Sequence, residues 1–157
     1  MSCSLTYILH EWLRVTMRYS MRHFMSFAKE HNYSIAQLNA LIRIRYKGMC
    51  GVSDLGEEMG VTSAAASQLL EKLVQQGLVI RTEHPQDRRN KRITLTEAGE
   101  QVAEQSMQAR QNWLDQLAER FTPAEQEQIL AALKLLIKKS ETLENEIPAG
   151  RESSYHK

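Results

Sequence analysis

Glycine (7) and proline (3) are scarce among the 157 residues, so few positions invite a sharp reversal and long helices are favoured. The two cysteines, Cys3 and Cys50, form neither a disulfide framework nor a thiolate metal cluster. The five histidines (His10, His23, His31, His84, His156) are scattered, with no metal-ligand spacing. There is no Gly-rich phosphate loop and no nucleophile motif, so neither an enzyme nor a cofactor is expected. No apolar run is long enough to span a membrane. The N-terminus lacks a basic segment followed by an apolar stretch and a cleavage site, so a cytoplasmic location and no membrane partner are expected. Neither sign of charge dominates: 20 Lys and Arg stand against 19 Asp and Glu, a net charge of +1. Any attraction to nucleic acid must therefore be local. With 42% hydrophobic and 25% charged residues, the chain is globular and not disordered.

The apolar spacing predicts a mainly α fold. Residues from about 5 to 30 read as one long helix carrying Leu5, Ile8, Trp12, Met17, Met21, Phe24 and Met25, more apolar positions than one narrow stripe needs. Arg14, Arg18 and Arg22 recur on it every four residues and read as a solvated basic ridge. Ser34 with Gln37 forms a capping box for a second helix, which Gly48 ends. A short extended link follows. Ser53 is expected to cap a helix from Asp54 to Met59, and Thr62 or Ser63 the next one, which runs to about Gln76 before Gly77. Leu78 to Glu83 and Lys91 to Leu95 read as strands around a polar turn at Pro85 to Asn90. Thr96 caps a helix to about Arg120, with Val102, Met107, Trp113, Leu114 and Leu117 inward. Thr122-Pro123-Ala124-Glu125 starts the last helix, where Ile129, Leu133, Leu136 and Leu143 recur near heptad spacing. The tail after Pro148 is expected to be flexible.

Two short helices meeting at Gly60, with Leu55, Met59, Val61, Ala66 and Leu69 as the inward set and Gly56 at their close approach, form the pattern of a helix-turn-helix. An ordinary helical hairpin fits these residues equally well. The second helix shifts the balance. Thr62, Ser63, Ala64, Ala65, Ser67 and Gln68 are short or polar, so its backbone can sit deep in a major groove, where Ser, Thr and Gln bond to base edges or phosphates and Ala touches a thymine methyl. Lys72 follows as a phosphate contact. The hairpin turn then concentrates charge in Asp87, Arg88, Arg89, Asn90, Lys91 and Arg92, a basic wing suited to an adjacent minor groove.

The run Leu78-Val79-Ile80-Arg81, Asp87-Arg88-Arg89, Ile93-Thr94-Leu95-Thr96-Glu97-Ala98-Gly99 resembles the wing signature of the MarR (multiple antibiotic resistance regulator) family. Asp54-Leu55, Gly60-Val61 and Leu69-Leu70-Glu71-Lys72-Leu73 precede it at matching spacing. The resemblance implies one MarR-type domain over 1–157: a winged helix-turn-helix lobe over about 34–99, dimerisation helices over about 5–30 and 100–146, and a flexible tail over 147–157. It implies a homodimer on a pseudo-palindromic operator in double-stranded DNA, with Leu5, Ile8, Trp12, Ile129, Leu133, Leu136 and Leu143 at the dimer interface. Arg89 would be the wing-tip arginine and Asp87 the residue that orients it, while Thr62, Ser63, Ala65, Ser67 and Gln68 lie on the reading helix. A small aromatic or phenolic effector would release the DNA from a pocket lined by Trp12, Met17, Tyr19, Met21 and Met25, although plain core packing suits those residues better. Neither Cys3 nor Cys50 matches a sensing cysteine in the first-helix region, so redox sensing is disfavoured. A winged helix that binds protein is the other alternative.

Overall fold

In a computed structural model, the described residues are 4–48, 50–84 and 87–146, with side chains except at 50, 83, 84, 87–91 and 143–146. Among them are six helices and three strands: α1 (Leu5–Glu30), α2 (Ile35–Lys47), β1 (Cys50–Gly51), α3 (Val52–Glu58), α4 (Ser63–Gln75), β2 (Val79–His84), β3 (Asp87–Leu95), α5 (Glu97–Ala118) and α6 (Pro123–Glu146). The mainly α, winged helix-turn-helix class expected from the sequence is therefore observed. Cys3, the tip residues Pro85 and Gln86, and the expected tail over 147–157 lie outside the described residues. Residues 1–113 and residues 114–157 form two compact units.

In the first unit α2 is the central pillar. Ser34 is extended and its Oγ accepts from the Gln37 amide at 3.1 Å, while Gln37 Oε1 accepts from the Ser34 amide at 2.8 Å. This is the reciprocal box that satisfies two orphan donors. Leu38, Ala40, Leu41 and Ile44 of α2 are fully buried. Leu41 and Ile44 share a core with Leu55, Leu70, Leu73, Val79 and Ile93, and Leu38 packs in a second cluster with Phe24 and Ala28 of α1. Burying each such leucine stabilises the lobe by about 1.5–3 kcal/mol. Two ion pairs from α2 to α3, Arg43–Glu58 at 3.7 Å and Lys47–Glu58, and two to α5, Arg45–Glu100 at 3.5 Å and Arg45–Glu104, lie at the margin of this packing.

The sheet is antiparallel with order β1-β3-β2. β3 begins at Asp87 and not at Lys91, which corrects the expected turn over Pro85 to Asn90. The ladder pairs His84 with Asp87 across an irregularity at Glu83/His84. Backbone pairing carries a strand through residues whose composition suggests a turn. The α3 cap also needs correction. Gly51, and not Ser53, is the cap, because Asp54 Oδ2 accepts from the Gly51 amide at 3.1 Å. This starts the helix two residues earlier than expected, at Val52.

Thr96 caps α5 as expected, its Oγ1 accepting from the Gly99 amide at 3.0 Å. The same hydroxyl donates to the Gly77 carbonyl at 2.7 Å, tying the end of α4 to the start of α5. Gly99 is obligatory here, because a Cβ would collide with the Leu78 backbone carbonyl. Two expected inward residues are exposed instead. Val61 is exposed in the turn after Gly60, which takes a left-handed φ of +63°. Leu114 lies one step around α5 from the buried Trp113, and Ala103 and Ser106 take the inner positions.

In the second unit, Thr122 and Glu125 make the expected box. Glu125 Oε2 accepts from the Thr122 amide and hydroxyl, both at 2.8 Å, and these bonds hold its carboxyl below the usual value. No residue of α6 with a described side chain is buried. No helix among the described residues is long and apolar enough to cross a membrane.

Candidate nucleic-acid interface

The helix-turn-helix is built by α3 and α4. Gly56 sits at their close approach, where a Cβ would lie a tight 3.3 Å from the Ala66 Cβ and 3.4 Å from the Val61 carbonyl. Thr62 is the α4 cap, extended at ψ 152°, with Oγ1 accepting from the Ala65 amide at 3.2 Å. Ala66, Leu70 and Leu73 form the buried stripe of α4. That stripe turns Thr62, Ser63, Ala64, Ala65 and Gln68 to solvent together, with Lys72 further along. Ser67 is half-buried and sits at the edge of the stripe. The exposed N-terminal half thus presents short side chains and the positive end of the helix dipole, a combination suited to phosphate and base edges.

The hairpin stands beside this helix. Arg92 is half-buried and Ile93 fully buried. Asp87, Arg88, Arg89 and Lys91 fall within β3, but their side chains lie outside those described. One residue that the expected contact set lacks belongs to this region. Arg81 of β2 donates from Nη2 to the Ser67 carbonyl of α4 at 3.3 Å. The signal was available in the strand alternation, because Arg81 shares a face with Val79.

The remaining expected sites are distributed over the helices. Tyr19 stacks on Trp113 with ring centroids 5.1 Å apart, and Trp12 approaches the same ring at 6.3 Å. Met17, Met21 and Met25 are exposed on α1. The Arg110 guanidinium lies 3.6 Å from the centroid of Phe24 and donates to Asn39 Oδ1 at 3.2 Å, while the Arg110 carbonyl accepts from Trp113 Nε1 at 3.0 Å. Burial lowers the guanidinium pKa from the ordinary arginine value. An open groove of about 400 Å³ is lined by Arg45, Glu100, Gln101, Glu104, Gln105 and Gln108, and none of the five expected effector-pocket residues lines it. Of the expected dimer contacts, Leu5, Ile8 and Trp12 are exposed on α1 and Leu133 and Leu136 on α6. Ile129 is half-buried, and the Leu143 side chain lies outside those described.

Comparison with known proteins matches residues 33–91 to the MarR family, a span that runs from the α2 box through α4 into the hairpin. YwhA of Bacillus subtilis, an uncharacterised HTH-type transcriptional regulator, is 35% identical over 97 residues, covering 61% of this chain and 70% of that protein. The transcriptional regulator Tm0710 of Thermotoga maritima superposes with a TM-score of 0.76 at 24% identity, over 88% of this chain and 94% of that one. A mutant MepR from S. aureus, solved bound to an oligodeoxyribonucleotide, gives a TM-score of 0.66 at 19% identity, over 87% of this chain and 97% of that one. The fold and the helix-turn-helix residues thus agree with the sequence likeness, and the chain belongs to the MarR family of transcriptional regulators.

Proposed function

We propose that this regulator binds double-stranded DNA sequence-specifically as a cytoplasmic homodimer and acts as a repressor released by a small aromatic effector. The observation that carries the reading is the exposed face of α4. Thr62, Ser63, Ala64, Ala65 and Gln68 face solvent together while the opposite stripe is buried. No long side chain in that half keeps the helix backbone away from a groove floor. The basic run Arg88, Arg89, Lys91 and Arg92 in the adjoining strand supplies the local charge that the net charge of +1 does not. The oligonucleotide bound by MepR supports the choice of partner. A homodimer accounts for the exposed apolar residues of α1 and α6, and two reading helices suit a pseudo-palindromic operator. The effector class rests on Trp12 and Tyr19, whose rings gather on Trp113.

The test is Gln68→Glu, which places a negative charge on the exposed face with little change in volume. A duplex enriched by the wild type from a randomised pool serves as the probe. Affinity is expected to fall by about tenfold or more, with circular dichroism unchanged. Equal binding by a folded variant would remove α4 from the groove.

A further inference from the structure

The strand β2 has an inner and an outer face. Val79 is buried and its neighbour Ile80 is 48% exposed, so the face carrying Val79 is the inner one. Arg81 returns to that inner face, paired in register with the fully buried Ile93, while Thr82 is exposed. A cation therefore stands inward where an apolar side chain would cost less, and an isoleucine stands outward beside it. Arg81 is half-buried, its Nε is shielded from solvent without a hydrogen-bond partner, and among the described residues no carboxylate pairs with it. Its Nη2 reaches the Ser67 carbonyl, 14 residues back in the chain and in the middle of the exposed-face segment of α4. That carbonyl already lies within a helical ladder, and its second lone pair takes the guanidinium.

We infer that Arg81 is a positioning residue: its guanidinium braces the base of the wing against the reading helix and fixes the spacing between the two. The inference rests on the reading of α4 and the hairpin as the two DNA-contacting elements. Those elements approach different grooves, so their separation decides whether both engage a given sequence at once. Neutral backbone polar groups on α4 then carry a charge-assisted bond from β2, and the positive charge of Arg81 is spent on internal geometry and not on a phosphate. Two consequences follow. Loss of the brace weakens binding to a preferred sequence more than to an arbitrary one, and it leaves the number of released counterions unchanged.

The experiment compares wild type, Arg81→Met and Arg81→Lys. The probes are a duplex enriched by the wild type from a randomised pool and a scrambled duplex of the same length and composition, each titrated over a series of salt concentrations, with melting temperatures recorded alongside. Arg81→Met is expected to bind the enriched duplex about three- to tenfold more weakly, with the scrambled duplex and the salt slope unaffected. Arg81→Lys, which keeps a donor for the Ser67 carbonyl, is expected to recover most of the discrimination, and it remains informative if Arg81→Met does not fold. A slope reduced by about one with both duplexes weakened equally would make Arg81 a phosphate contact and overturn the brace. A lower melting temperature with undiminished discrimination would overturn it too, leaving a merely structural arginine. A wild type that enriches no sequence and does not discriminate would overturn the DNA-reading assignment and the brace with it.

Discussion

Close packing decides two positions in the helix-turn-helix lobe. At Gly99 a methyl group would meet the Leu78 backbone carbonyl, which belongs to the crossing between α4 and β2 and has no side-chain freedom to yield. Gly99→Ala is therefore expected to destabilise the lobe by about 1–3 kcal/mol, read as a lower denaturation midpoint. An unchanged midpoint would show that the crossing relaxes freely. At Leu70, fully buried on the inner stripe of α4, truncation to Ala is expected to cost about 2–5 kcal/mol. Sequence reasoning located the Thr62, Ser63, Ala64, Ala65 and Gln68 face because its short residues are contiguous. It placed Ser67 there as well, whereas the helical rotation brings Ser67 to the margin of the buried stripe. The strand alternation puts Arg81 on the face of Val79, but its acceptor, the Ser67 carbonyl 14 residues back, is legible only in the folded chain.

Helix starts were the most legible elements, since a cap is a local exchange of hydrogen bonds written in four residues. Ser34–Gln37, Thr96–Gly99 and Thr122–Glu125 were readable for that reason. Ser53 misled because a serine before an acidic turn is a good cap by composition, yet Asp54 reaches back to the Gly51 amide and begins α3 earlier. At α6 the Glu125 carboxylate is stabilised by its Thr122 bonds, so its folded pKa is depressed. The contribution is present above the ordinary glutamate value and is lost as pH falls through the lowered one. The Glu125 carboxyl resonance is expected to titrate below that of a glutamate in an unstructured peptide, and Thr122→Ala to move its midpoint upward. A midpoint at the peptide value would dissolve the box in solution. For the hairpin, the proposed wing role makes Arg89→Ala cost about 1–3 kcal/mol in DNA binding and lowers the salt slope by about one. Asp87→Ala is expected to weaken binding as well, and to have little further effect once Arg89 is gone. Tighter binding by Asp87→Ala would mean simple relief of repulsion and would remove its orienting role.

Among the described residues, α1 and α6 leave large apolar side chains in water. Leu5, Ile8 and Leu13 on α1 and Leu130, Leu133, Leu136 and Ile137 on α6 are exposed, the pattern of a surface awaiting a partner. Sedimentation at micromolar concentration is expected to show a dimer, and Leu133→Glu with Leu136→Glu to give a monomer that binds DNA weakly. A wild type that sediments as a monomer would contradict the homodimer. The most direct test of the DNA-reading assignment is a methylation-protection footprint on the enriched duplex. Guanine N7 lies in the major groove and adenine N3 in the minor groove, so one reagent reports on α4 and on the wing separately. N7 protection is expected in two half-sites about one helical turn, or a multiple of it, apart, with N3 protection beside each, and loss of the N7 signal in Gln68→Glu. Binding with no N7 protection, or protection at N3 alone, would contradict the assignment.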